Sequence, residues 1–177
     1  MRTFEEIRQA VVFAALFEYH EQKFMRVGNR LRPLRDDKRI AKYWRRVLGP
    51  TWKGPFPHAW CAAFGLWCVQ EAGLAPGVVL LVNGINGKGW GFCEPLALPK
   101  VKIPEPGDIA YFEKFQHHAV VEFADVSGGV FWSIDGNQPA IDRHGPQGTM
   151  PARELGAAKA FYSIKPLILA AQKKEAP

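Results

Sequence analysis

The hydrophobic period of this 177-residue chain changes once, near Gly73, and that change limits what it can fold into. Before it, apolar residues recur at helical spacing: Phe4, Ile7, Val11, Ala14 and Phe17 form one stripe, and Ile40, Trp44, Val47 and Leu48 a second. The first stripe predicts a helix to about Phe24, followed by an Arg-rich connector from Gly28 to Arg35 that contains Pro33. Asp36 or Asp37 can cap the second helix, and Gly49-Pro50 stops it. Pro50 to Pro57 is too proline-rich for either helix or strand. A third helix is expected from near Trp60, with Gly73 as its C′ residue; it is apolar almost all round, which predicts a central, buried position. Beyond Gly73 the apolar segments are short and separated by turns. Residues 108–113, 117–126, 130–135 and 160–165 read as strands, with Ser127-Gly128-Gly129 closing an antiparallel hairpin. Helices first and strands later predict an α+β fold, with helices packed on one face of an antiparallel sheet.

The chain is long enough for one domain with a substantial core. The reading divides it into a basic helical part over 1–50, a core over 51–169 and a flexible charged tail over 170–177. No apolar run approaches the ~20 residues of a membrane span. The longest early run, Ala10 to Phe17, is 8 residues and is preceded by Glu5 and Glu6, so no secretory signal is expected. Three cysteines leave at least one thiol free, which suits synthesis in a reducing compartment. The net charge of +6 is uneven: residues 1–58 carry 13 Lys/Arg against 6 Asp/Glu, whereas the remainder carries 10 against 11. A basic front of this kind attracts a polyanion, and Arg39, Arg45 and Arg46 are its candidate contacts. No nucleic-acid-binding motif accompanies it, so no nucleic-acid partner is expected.

Cys61 stands out by placement, because it follows the Pro-rich approach and opens the central helix. Unpaired N–H groups and the helix dipole at that position favour a thiolate and can cradle an oxyanion; the plainer alternative is an inert core cysteine. Cys68, seven residues on, reads as packing, and Cys93 has no assigned role. A thiol nucleophile needs a base and a group to orient that base. His117 and His118 begin one strand, and their alternating faces predict that only one points toward the Cys61 helix. Asp135 ends the partner strand, with Asn137 close behind. Zinc binding through His58, Cys61, Cys93 and the histidine pair finds no supporting spacing, so neither metal nor cofactor is expected. The glycine-rich stretch from Asn83 to Gly91 lacks the ending of a phosphate loop and reads as a groove wall or a simple loop. Trp60 and Trp90 are the candidate substrate-binding aromatics, although packing in the core is the favoured reading for Trp90 and Phe92.

Four segments in order resemble the CHAP superfamily (cysteine- and histidine-dependent amidohydrolases/peptidases) and its NlpC-type relatives. Trp60-Cys61-Ala-Ala-Phe64-Gly-Leu-Trp67 resembles the nucleophile helix W-C-[SA]-A-F-x-x-W. Pro106-Gly107-Asp108-Ile109-Ala-Tyr-Phe112 resembles P-G-D-[IV]-x-x-F, which leads into the sheet. His117-His-Ala119-Val120-Val121 resembles H-x-[GA]-[IV]-V, and Asp135-Gly136-Asn137 resembles the closing E-x-N. Arg39 to Tyr43 is similar to the I-x-x-Y helix of phage-type members, and the likeness spans roughly residues 38–138. The ungapped match makes His117 the base; a shift of one makes it His118. Asp135 or Asn137 is then the orienting group.

The resemblance implies a papain-like fold and a monomeric peptidoglycan hydrolase. Cys61 would cleave a stem-peptide amide or peptide bond through a thioester, as an N-acetylmuramoyl-L-alanine amidase or an endopeptidase. A chain made without a signal peptide that acts on the wall in the periplasm or outside the cell suits a phage endolysin released by a holin. It also suits an antibacterial effector with an immunity partner. The alternatives are a catalytically silent wall-binding or virion protein of the same fold, and a papain-like protease or transferase acting on protein.

Overall fold

The computed structural model describes residues 2–21, 24–27, 30–33, 37–51, 60–74, 82–83, 90–136 and 152–175. Helix α1 (Phe4–His20) starts at a capping box: the Thr3 hydroxyl accepts from the Glu6 N–H, and the Glu6 carboxylate accepts from the Thr3 N–H at 2.6 Å. It ends at His20, short of the expected Phe24, because Phe24 belongs to strand β1 (Phe24–Val27), paired antiparallel with β2 (Arg30–Pro33). Phe24 and Val27, aromatic and β-branched, suit a strand, and this antiparallel pair stands where the last helical turn and part of the connector are expected. Helix α2 (Asp37–Leu48) and helix α3 (Cys61–Glu71) lie where the periodicity puts them. Gly73, at φ 81°, closes α3 in a Schellman motif: Leu74 N–H donates to Val69 C=O and Gly73 N–H to Gln70 C=O.

Strands β3 (Val82–Asn83) and β4 (Trp90–Gly91) pair with each other; residues 84–89 of the glycine-rich stretch and 52–59 of the Pro-rich stretch lie outside the described residues. The main sheet contains β5 (Lys100–Val101), β6 (Ile109–Phe112), β7 (His117–Asp125), β8 (Val130–Asp135), β9 (Arg153–Glu154) and β10 (Ala160–Tyr162). Its order is β5-β10-β6-β7-β8-β9, and every pairing is antiparallel. Helix α4 (Lys165–Glu175) follows. The tail expected to be flexible from residue 170 is therefore helical to Glu175; Ala171 packs against the core and the Gln172 side-chain amide donates to the Arg2 carbonyl. The architecture is α+β, and among the described residues no helix is long and apolar enough to cross a membrane.

The central strands are apolar on both faces. Ile109, Val120 and Ile134 join the helical residues in the main core, where Val11, Trp44, Leu66 and Val69 are fully buried. Ala110, Phe112, Ala119, Val121, Phe131 and Phe161 form a second cluster on the other side. This two-faced burial explains why β7 opens as an unbroken buried run, His117 to Val121, instead of alternating.

Two buried ionic knots join the layers. Arg8 of α1 is 1% exposed and meets the Pro106 carbonyl and Asp108 Oδ1, each at 2.8 Å, and Glu105 at 2.6 Å. The Asp108 carboxylate also accepts from the Glu105 and Ile164 N–H groups, so the P-G-D segment ties β6 to both α1 and the start of α4. Gly107, at φ 83°, is required there: a Cβ would lie 3.1 Å from Ile164 Cδ1 and 3.2 Å from the Arg8 carbonyl oxygen. In the second knot, Glu18 of α1 accepts from Arg39, Lys42 and the Tyr43 hydroxyl of α2. Burial alone would raise the Glu18 carboxyl; its partners Lys42, Tyr43 and Arg39 outweigh that and hold it below the usual range. Arg39 thus belongs to a structural clamp, whereas Arg45 and Arg46 remain on the exposed face of α2.

Candidate active site

Cys61 is the first residue of α3, and the helix makes its first backbone bond from Phe64 N–H to Trp60 C=O. Trp60, at the N-cap, makes no side-chain cap bond to the leading N–H groups of the helix. Trp60 is half-buried, stacked on Tyr43 with centroids 5.7 Å apart and edge-on to Phe64; the Glu18 knot holds Tyr43 in turn. The tip of α3 is thereby fixed from the α2 side. From the sheet side it is fixed by Gly136, where a Cβ would stand 2.7 Å from Phe64 Cβ and 2.8 Å from the Trp60 ring. The end of β8 therefore abuts the start of α3, which brings Asp135 into the neighbourhood of Cys61.

A single 3₁₀ turn, Glu113–Phe115, leads into β7. Gln116 closes it in the left-handed region, at φ 47°, an unfavourable setting for a residue with a side chain. Its carbonyl oxygen lies 4.0 Å from Cys61 Sγ, within reach of the thiol proton. His117 and His118 then take opposite faces of the strand. His118 shares the helix side with Val120, its ring centroid 5.9 Å from Phe92 and 5.1 Å from Tyr111, beside the backbone of Gly91. His117 shares the other side with Ala119 and lies beside Phe112. The alternation therefore holds, with one ring of the pair on the helix side; because Cys61 sits at the helix tip, level with the start of β7, the charge state of its sulfur is nonetheless set by both imidazoles.

The two histidines differ in what supports them. His117 Nε2 lies 2.9 Å from Asp135 Oδ2, which leaves Nδ1 for the sulfur. Among the described residues, Nδ1 of His118 has no hydrogen-bond partner. The Asp135 side chain is fully buried and its carboxylate is held from several sides: Oδ1 accepts from the Ser133 hydroxyl at 2.7 Å and from Arg153 at 3.1 Å, and Oδ2 accepts from Arg153 at 2.8 Å as well as from His117. Asn137 lies outside the described residues. Trp90 is placed by its backbone in β4, next to Gly91, whose backbone lies beside the His118 ring, and its side chain lies outside the description. Arg153, Ser133 and Gln116 escape the sequence reading. Only Ser133 had a legible signal, since its spacing of two from Asp135 puts both on one strand face.

The electrostatics follow from this chain of contacts. Burial alone would raise the Cys61 thiol, yet His117 and His118 bring it down to about 6. Burial would likewise lower His117, but Asp135 and the sulfur lift it to about 9. Burial would raise Asp135, and His117 with Arg153 hold it at about 2. Around neutral pH the triplet is thus thiolate, imidazolium and carboxylate. Cys68 and Cys93, buried among apolar groups, are pushed upward and are inert. Alkylation of Cys61 by a neutral haloacetamide should therefore rise through a midpoint near pH 6, where the thiol loses its proton. Turnover should fall again near pH 9, where the imidazolium loses the proton it must donate. A midpoint in the ordinary thiol range, above pH 8, would contradict the ion pair.

Among the described residues, no cluster of three His, Cys, Asp or Glu is arranged to hold a metal ion. Compared with known proteins, the chain matches no family model, no curated protein and no solved structure.

Proposed function

We propose that this protein is a papain-like cysteine amidohydrolase whose substrate is the stem peptide of peptidoglycan. The reaction class is supported by one arrangement: Cys61 opens the buried helix α3 beside the end of β8, and the histidine that draws its thiol down has its far nitrogen bonded to a buried carboxylate. The substrate rests on the resemblance of the Cys61, P-G-D, His117 and Asp135 segments to CHAP-type enzymes. Cys61 Sγ attacks the amide carbonyl carbon, forming an S–C bond, while N–H groups at the start of α3 stabilise the oxyanion. The C–N bond then breaks, and the departing amine takes the proton from His117. Neutral His117 next removes a proton from water, whose oxygen attacks the thioester; the carboxylic acid leaves and the thiolate–imidazolium pair is restored. Asp135 keeps Nε2 of His117 protonated throughout, so that Nδ1 faces the sulfur.

The test is digestion of isolated sacculi by the intact protein beside Cys61→Ala, with soluble products identified by mass. Fragments that appear only with the wild type are expected, and their new termini name the bond. Equal sacculus binding by both proteins with no fragments from either would replace this reading with the silent wall-binding one. Fragments from both would remove Cys61 from the reaction.

A further inference from the structure

We propose that Arg153, together with Ser133, is a positioning residue that locks Asp135 behind His117 and by its charge favours the thiolate form of Cys61. This rests on the thiol-hydrolase reading of the site and extends its chain of contacts one group further back. The Arg153 guanidinium spans the carboxylate, with Nη1 on Oδ1 and Nη2 on Oδ2, and the same Nη1 donates to the Ser133 hydroxyl at 2.7 Å. A fork of this kind fixes the plane of a carboxylate as well as its position, which a lysine could not do. The guanidinium also lies over the Phe112 ring, 4.7 Å from its centroid, and Phe112 is the ring beside His117. Arg153 therefore grips both the acid that orients the imidazole and the aromatic wall that limits its tilt.

The charges alternate along the chain: Arg153 positive, Asp135 negative, His117 positive, Cys61 negative. Asp135 alone would draw the proton strongly onto His117 and, by its own negative charge, oppose a second anion on Cys61. Arg153 cancels much of that charge. Among the described residues, the charged groups nearest Asp135 are His117 and Arg153, and His118 faces the site from the helix side. Removing the cation makes protonation easier at every member, so both limbs of the pH profile should move upward.

Three variants test this by two readouts, the pH midpoint of Cys61 alkylation by iodoacetamide, followed by intact mass, and the pH profile of sacculus hydrolysis. Arg153→Met should raise the alkylation midpoint by about one pH unit, roughly a fivefold loss of thiolate at pH 6, and shift the acid limb of turnover by the same amount. Arg153→Lys keeps the charge without the fork, so the midpoint should stay while turnover falls about tenfold. Ser133→Ala, the mildest change, covers the case in which Arg153→Met does not fold, and should lower turnover with the midpoint nearly unmoved. A folded Arg153→Met protein with the wild-type midpoint and wild-type turnover would overturn the proposal, as would equal loss in the Met and Lys variants with neither midpoint displaced. Alkylation needs no substrate. A shifted midpoint in a protein that leaves sacculi intact would thus sustain the role of Arg153 and count only against the proposed substrate.

Discussion

His117→Ala should leave turnover as low as Cys61→Ala does, roughly three to six orders of magnitude below the wild type, and the double variant should be no worse than either. The two residues act as one unit: without the imidazole the thiol returns toward its ordinary range and the leaving amine has no proton source, and without the sulfur the imidazole has nothing to activate. His118→Phe should behave differently. It keeps a ring between Phe92 and Tyr111, so packing survives, and what disappears is one of two imidazoles holding the Cys61 thiol down. A loss within about tenfold is expected, recovered at higher pH as the thiol ionises without help. The distinction rests on the carboxylate. Of the two histidines, His117 is the one bonded to Asp135, whereas among the described residues Nδ1 of His118 has no partner to fix which nitrogen faces the sulfur. Rates of sacculus hydrolysis across these variants, with circular dichroism to confirm folding, decide the matter. If His118→Phe alone abolished turnover in a folded protein, the base would be His118.

What could be read beforehand follows the range of each interaction. Cys61 at the head of an apolar helix, Gly73 as its C′ residue and the β7–β8 hairpin are encoded within a few residues, and the structure places all three as expected. The first helix misreads at its end because its apolar stripe carries on into Phe24, where a β-hairpin competes with one further helical turn. The tail misreads for the opposite reason: residues 171–175 are too polar to announce a helix alone, and α4 is tied to the distant N-terminal segment at Arg2 and Phe4. Arg153 was invisible. It stands 18 residues after Asp135, in a two-residue strand with no periodicity of its own, and only the return of the chain to the edge of β8 brings it to the carboxylate. The relation between the two histidines was half legible. Alternation assigns them to opposite faces, but that both influence the charge of the sulfur depends on where the tip of α3 ends relative to the start of β7.

The largest stability effect is expected at the Arg8 knot. Arg8 and Asp108 are each 1% exposed at the side chain, and their Nη1–Oδ1 contact of 2.8 Å joins α1 to the turn before β6. Arg8→Met fills similar space and leaves the Asp108 carboxylate buried with backbone donors but no counter-charge, a change that costs about 3–5 kcal/mol. For a chain of this size that corresponds to a fall in Tm of about 10 °C or more. Asp108→Asn should cost less, because its side-chain oxygen can still accept from Arg8 and Ile164 while the bond from the Glu105 N–H is lost. The pair is interdependent, so Arg8→Met combined with Asp108→Asn should be more stable than the sum of the single losses implies, and more stable than Arg8→Met alone. Thermal and urea unfolding of the four proteins measures this directly. An Arg8→Met protein within about 1 kcal/mol of the wild type would show that the knot is ornamental and that the P-G-D turn is held by its backbone bonds to Val121 alone.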